Sequence, residues 1–275
     1  MIQGYRMAGP PPHGEPPAEP PPSREQEWPP WLGFVTLLGV FVIANLGYAL
    51  VLGISGADTD DPPAWVDLVG ALILQLTLIG AAVGVAGLFK PLHAWQFGLR
   101  PTRFWSAIGW SALAMVGFFV FAILWAALVN DPEQSTAEDL GAGESQLALV
   151  AAGVMFVIIA PVAEELFFRG FFYGSLRTRL PVIWAALISG IVFGAIHAPT
   201  GASAVPALIV LGVVFCLVRE KTGSLYPCIA MHAFNNAFAY ASLTDVDVGI
   251  AAGLGVCTIA ATALVPRFAW RRQPA

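Results

Sequence analysis

From Trp31 onward, long apolar runs alternate with short polar breaks, and this rhythm constrains the fold more than any other feature of the chain. At 1.5 Å per helical residue, such runs cross a hydrocarbon core ~30 Å thick. They predict helices near 31–54, 64–89, 104–129, 146–179, 182–198, 203–219, 225–243 and 247–266. Charged residues make up 11% of the 275 and apolar residues 57%, whereas a soluble domain carries about 25% charged residues. So little polar material cannot cover a water-facing surface. The fold class that follows is all-α, a polytopic membrane bundle of about eight transmembrane helices. The fourth run is too long for one crossing, so part of it is expected to overhang the bilayer.

Residues 1–30 have a different composition. Ten of the 22 prolines lie there among Gly, Glu, Gln and Ser. With few apolar residues to bury and prolines that favour extension, they predict a disordered tail. The tail lacks the basic-then-apolar order of a secretory signal, so no cleavage is expected. Breaks at 55–63, 130–145, 197–203 and 244–247 contain no Lys or Arg, whereas the alternate breaks carry Lys90, Arg100 and Arg103, then Arg169, Arg177 and Arg179, then Arg219 and Lys221, and the C-terminal end adds Arg267, Arg271 and Arg272. By the positive-inside rule, the basic breaks and both termini face the cytoplasm, and the plasma membrane is the expected location. The net charge of −5 and the lack of a dense basic patch argue against nucleic acid as a partner. Cys216, Cys228 and Cys257 each stand alone in apolar runs, which predicts small buried hydrophobes. The pairs Gly80/Gly84, Gly190/Gly194 and Gly249/Gly253 predict close helix packing.

Strongly polar groups inside a membrane helix cost roughly 2.5–3.5 kcal/mol each, and here they concentrate in three places. The first is Glu164-Glu165-Leu166-Phe167-Phe168-Arg169, just after Pro161. Glu165 and Arg169 are i,i+4 and can pair on one face, while Glu164 points about 100° away. The second is Phe193 with His197, one turn apart, where the ring can pack on the imidazole. The third is His232 with Asn236, again i,i+4, beside Asn235. Singly, each has a structural reading: an ion pair at a helix end, a core histidine, and hydrogen-bonded glue between helices.

Their joint placement favours chemistry. The turn at Leu180–Pro181 lies 16 residues after Glu164 and 16 before His197, so an antiparallel hairpin brings the two level, ~24 Å from the turn. His232 lies only ~12 Å past Ser224, so the depths agree if the stretch 169–180 overhangs. A carboxylate, two imidazoles and a carboxamide suit amide hydrolysis. Glu164 would take a proton from water held by His197, and His232 and Asn236 would donate to the oxyanion. There is no HExxH helix, no GxSxG elbow and no phosphate-binding GxxxxGK[ST] loop.

Together the three ordered motifs resemble those of the CPBP family, the CAAX-processing and bacteriocin-processing proteases also called the Abi family. The resemblance implies an intramembrane endopeptidase core over 146–266, preceded by N-terminal transmembrane helices over 31–130. It implies catalytic roles for Glu164, His197, His232 and Asn236, with Glu165, Arg169 and Phe193 as support. It implies a peptide or protein substrate, membrane-anchored or free, cleaved near the cytoplasmic face, without requiring that the substrate be prenylated. No cofactor is expected. Glu164, His197 and His232 would also make a zinc set, but Asn is a poor zinc ligand and no carboxylate is evident behind the histidines. The competing readings are a non-catalytic membrane scaffold or regulator of the same family, and a transporter. The latter lacks an internal repeat of the polar segments.

Overall fold

The computed structural model describes residues 28–89, 91–129 and 146–244, with 253, 255–258, 260–262 and 264 beyond them. Among the described residues every regular element is helical. This is what a bilayer demands of a single chain, because a helix satisfies its own backbone polar groups. In chain order, α1 is Pro30–Ser55, α2 is Ala64–Gly87, α3 is Phe104–Val129 and α4 is Gln146–Arg177. Then come α5 (Val182–Ala195), α6 (Val205–Thr222) and α7 (Tyr226–Leu243). The helices α1 to α4, and α6 with the turn Ala202–Ala204 before it, are long and apolar enough to span a membrane. Of the expected helix 247–266 only scattered residues are described, and those are helical. The polypeptide is an all-α membrane bundle.

Two boundaries differ from expectation. Helix α5 stops at Ala195 rather than 198, and a separate 3-10 turn, Ala198–Thr200, follows, since Pro199 has no N–H with which to continue the α-helical ladder. His197 therefore sits just beyond the helix, at φ −92° and ψ 0°. Helix α6 continues to Thr222, where Gly223 (φ +65°) closes it by donating its N–H to the Arg219 carbonyl. The stretch read as a tail also contributes to the core: Trp28 is 5% exposed and packs on Phe97 and Phe171, each with ring centroids 5.4 Å apart. The rest of that stretch, residues 1–27, lies outside the described residues.

The main core gathers around the middle of α4, where Phe167, Phe168, Phe171 and Phe172 are fully buried against α1, α2 and α5. A second cluster joins α3, α6 and α7 through Phe118, Leu211, Phe215 and Met231. A third joins the start of α4 to α7 through Met155, Val157 and Tyr240. Outward faces carry Leu38, Leu46, Ile54, Trp105 and Leu128, all more than half exposed, as a lipid-facing surface requires.

The expected glycine pairs divide. A Cβ on Gly190 would meet Val213 and the Ile209 carbonyl under 3.0 Å, and one on Gly212 would meet the Gly190 Cα at 2.7 Å. These glycines let α5 and α6 pack backbone to backbone. A Cβ on Gly80, Gly84 or Gly253 would have nothing within 4 Å among the described residues, so within these the packing expected of them is absent. Gly249 lies outside the described residues. Cys216 and Cys228 are buried as expected, but Cys257 is exposed.

One end of the bundle collects the basic breaks. Arg100 donates to the Gly223 carbonyl at 2.6 Å, Ser224 to the Arg100 carbonyl at 2.6 Å and Thr102 to the Thr222 carbonyl at 2.9 Å. Beside them, Glu220 accepts from Tyr173 at 2.9 Å and pairs with Arg177 at 3.0 Å. Phe97 packs on Gly170, and the neighbouring Gly98 carbonyl accepts from the Leu225 N–H at 2.7 Å. The start of α7 is thereby level with Gly170, and the last two turns of α4 extend past it. That extension reconciles the unequal depths counted from the sequence.

Candidate active site

Helix α4 is not regular. A π turn at Met155–Ile159 precedes Pro161, which has no N–H to donate and whose ring crowds the carbonyl four residues back. The wider turn absorbs that conflict, and a second follows at Leu166–Phe172, immediately after Glu165. Between them a short α segment, Ala160–Glu165, holds the two glutamates. In the first π turn, the Phe156 carbonyl accepts from Asn236 Nδ2 at 2.9 Å, tying α7 to α4. Asn236 Oδ1 in turn accepts from Asn235 at 3.3 Å.

Glu165 is wholly buried, and its Oε1 accepts from Arg169 Nη1 at 2.7 Å and from His232 Nδ1 at 2.8 Å. Arg169, equally buried, also donates to the Gly212 carbonyl at 3.3 Å and lies over the rings of Phe193 and Phe215 at 4.4 and 4.9 Å. The close approach of α5 and α6 at Gly190 and Gly212 brings that carbonyl within reach. The expected Glu165–Arg169 pair is therefore the base of a larger cluster that fixes a histidine. No carboxylate behind a histidine was expected from the sequence. Glu165 is one, and it went unseen because it lies 67 residues from His232 on another helix.

Glu164 points elsewhere, as the 100° step between neighbours requires. Its Oε2 is buried without a hydrogen-bond partner, 4.0 Å from His197 Nε2 and 3.8 Å from His232 Nε2. His197 Nδ1 donates to the Phe193 carbonyl at 2.7 Å, and the Phe193 ring lies 4.8 Å from the imidazole. With Nδ1 of each histidine committed to an acceptor, each Nε2 is left facing Glu164. Glu164, Phe193, His197, His232, Asn235 and Asn236 line one cavity of about 240 Å³. All four residues singled out as catalytic from the sequence are thus neighbours, and the three expected to support them touch or underlie them.

The match to known proteins falls on this same stretch. Residues 146–238 fit the family model described as type II CAAX prenyl endopeptidase Rce1-like. This segment is similar to that family. The matched segment begins with α4 and ends within α7, so it contains every polar side chain of the cavity named above. The chain is also similar to the uncharacterized protein YyaK of Bacillus subtilis (strain 168), with 25% identity over 244 residues, 79% of this chain and 78% of that protein. No solved structure matches it. Among the described residues no group of three His, Cys, Asp or Glu side chains is placed to hold a metal ion. The two Nε2 atoms instead stand beyond hydrogen-bond distance of Glu164, at the separation a bridging water spans.

Proposed function

We propose that this protein is an intramembrane endopeptidase in which Glu164 activates water. The observation that carries this reading is the buried, unpartnered Glu164 Oε2 facing the Nε2 atoms of two oriented histidines in one cavity. Water between Glu164 and His197 gives a proton to Oε2 as its oxygen attacks the scissile carbonyl carbon. A positioned base of this kind contributes 10²–10⁴-fold, about 3–5 kcal/mol. The oxyanion forms toward α7, where Asn236 keeps one Nδ2 hydrogen beyond that given to Phe156. His232, with one proton directed at Glu165, donates from Nε2 in its imidazolium form. A donor of this kind is worth about 3–4 kcal/mol. As the C–N bond breaks, Glu164 returns its proton to the leaving amine, so one water yields one carboxylic acid and one amine. No step requires a metal.

The 146–266 stretch is the catalytic part in this reading, with α1 and α2 closing one wall of the cavity. The end of the bundle bearing Arg100, Arg177 and Arg219 faces the cytoplasm, and the substrate is a peptide or membrane-associated protein. The test is cleavage of a mixed decapeptide library by the detergent-solubilised protein, read by mass spectrometry. The wild type should cut a defined subset, Glu164→Gln should lose at least about 10²-fold in kcat, and a chelator should leave the rate unchanged. Undiminished cleavage by Glu164→Gln would remove the proposed base. Chelator-sensitive cleavage would replace the water mechanism with a metal one.

A further inference from the structure

Outside the motifs, two polar side chains line the same cavity: Thr200, whose hydroxyl donates to the His197 carbonyl at 3.0 Å, and Gln75. Gln75 lies near the middle of α2, is 5% exposed, and its Oε1 is buried without a hydrogen-bond partner. It shares the cavity-lining stripe of α2 with Ala71, Leu74 and Leu78, the i, i+3, i+4, i+7 positions of one helix face. A buried amide left unpaired costs about 1–3 kcal/mol, and a glutamine serving only to hold helices together would be paired across their interface. Gln75 lines the chamber that contains Glu164, and its Oε1 has no hydrogen-bond partner there.

The chemistry of a peptide says what is missing there. Each peptide unit entering a dry cavity brings a carbonyl that needs donors and an N–H that needs an acceptor. The donors are on α7. Facing them, Glu164 is reserved for water, and the histidine Nε2 atoms stand beside it. Among the residues of α1 and α2 that line the cavity, the others are apolar: Leu37, Phe41, Ala71, Leu74 and Leu78. We propose that Gln75 Oε1 accepts a backbone N–H of the bound substrate next to the scissile bond, fixing the peptide in the register that presents its carbonyl to Glu164. This rests on the endopeptidase reading and extends it: the substrate segment must be unfolded, with a free backbone N–H at that position, and α2 is part of the substrate site.

The test uses the full chain and the best-cleaved decapeptide of the library, together with versions N-methylated at one backbone position at a time. Gln75→Met keeps the side chain's length and removes its acceptor. It should raise KM about tenfold, the value of one hydrogen bond, leave kcat within a factor of three, and leave thermal stability equal or higher. The wild type should lose about tenfold in kcat/KM for one N-methyl position, and Gln75→Met should show no further loss at that position. A fall in kcat with KM unchanged would assign Gln75 to the water instead. Additive losses at every N-methyl position, or a drop in stability, would make it a packing residue. Binding of the same peptides to Glu164→Gln and Glu164→Gln/Gln75→Met, followed by fluorescence anisotropy, reads the contact without turnover. Equal affinities would overturn the Gln75 contact even if the wild type proves to be a protease. Should the wild type cut no library peptide, the same comparison is made with the library member that binds most tightly, and a tenfold difference there would sink the protease reading and keep the contact.

Discussion

Adjacent glutamates carry opposite structural burdens in this protein. Glu165 makes two hydrogen bonds at full burial, so Glu165→Gln would leave the Arg169 guanidinium without its counter-charge inside the bundle. Breaking such a pair costs about 3–5 kcal/mol. Glu164 makes no hydrogen bond through Oε2, and its side chain is 13% exposed to the cavity, so Glu164→Gln should cost little. The expected outcome is a large fall in melting temperature for Glu165→Gln and almost none for Glu164→Gln, measured by thermal unfolding in detergent. Equal falls would mean that the two carboxylates are not divided between support and chemistry. By contrast, Glu220→Gln touches a pair about one-third exposed on each side. It should lower stability by less than about 1 kcal/mol.

Helices were legible in the sequence because a bilayer forces length and apolarity on every span. Which face of a helix meets which neighbour was less so. The level placement of Glu164 and His197 followed from counting residues through one hairpin, since a single turn at Leu180–Pro181 fixes the register. The contact of Glu165 with His232 did not follow, because it depends on the rotation of α7 and on two π turns that hydropathy does not reveal. Gln75 was missed for a similar reason: one amide in an apolar run gives no sign of the direction it faces. Small-residue spacing misled at Gly80 and Gly84, where the same pattern that packs α5 on α6 faces open space. This difference gives a test at the level of the element. Gly212→Ala places a methyl 2.7 Å from the Gly190 backbone and should cost about 1–3 kcal/mol. It should also lower activity, because the same backbone supplies a carbonyl to Arg169. Gly80→Ala should leave both within the error of thermal unfolding and kinetic assays.

For the molecule as a whole, the architecture gathers basic residues from several breaks at one end. The loop before α3 is hydrogen-bonded to the link between α6 and α7, and the end of α4 to Glu220 near the end of α6, all at the basic end. The α1–α2 loop, with Asp58, Asp60 and Asp61, carries no Lys or Arg. In a Cys257→Ser background, Asp60→Cys should react with a membrane-impermeant maleimide in intact cells, and Arg103→Cys only after permeabilisation. The reverse pattern would invert the proposed orientation.

The position of His232 has a consequence for how the protein is made. The carboxylates are contributed by α4, but the imidazole that contacts both belongs to α7, which leaves the ribosome later. Until that late helix is inserted, the nascent chain holds two glutamates and an arginine in lipid with an incomplete set of partners. A product released before Tyr226 therefore has neither a settled ion cluster nor the pair of histidines, so early termination leaves a chain that is costly to keep in the membrane and lacks part of the proposed site.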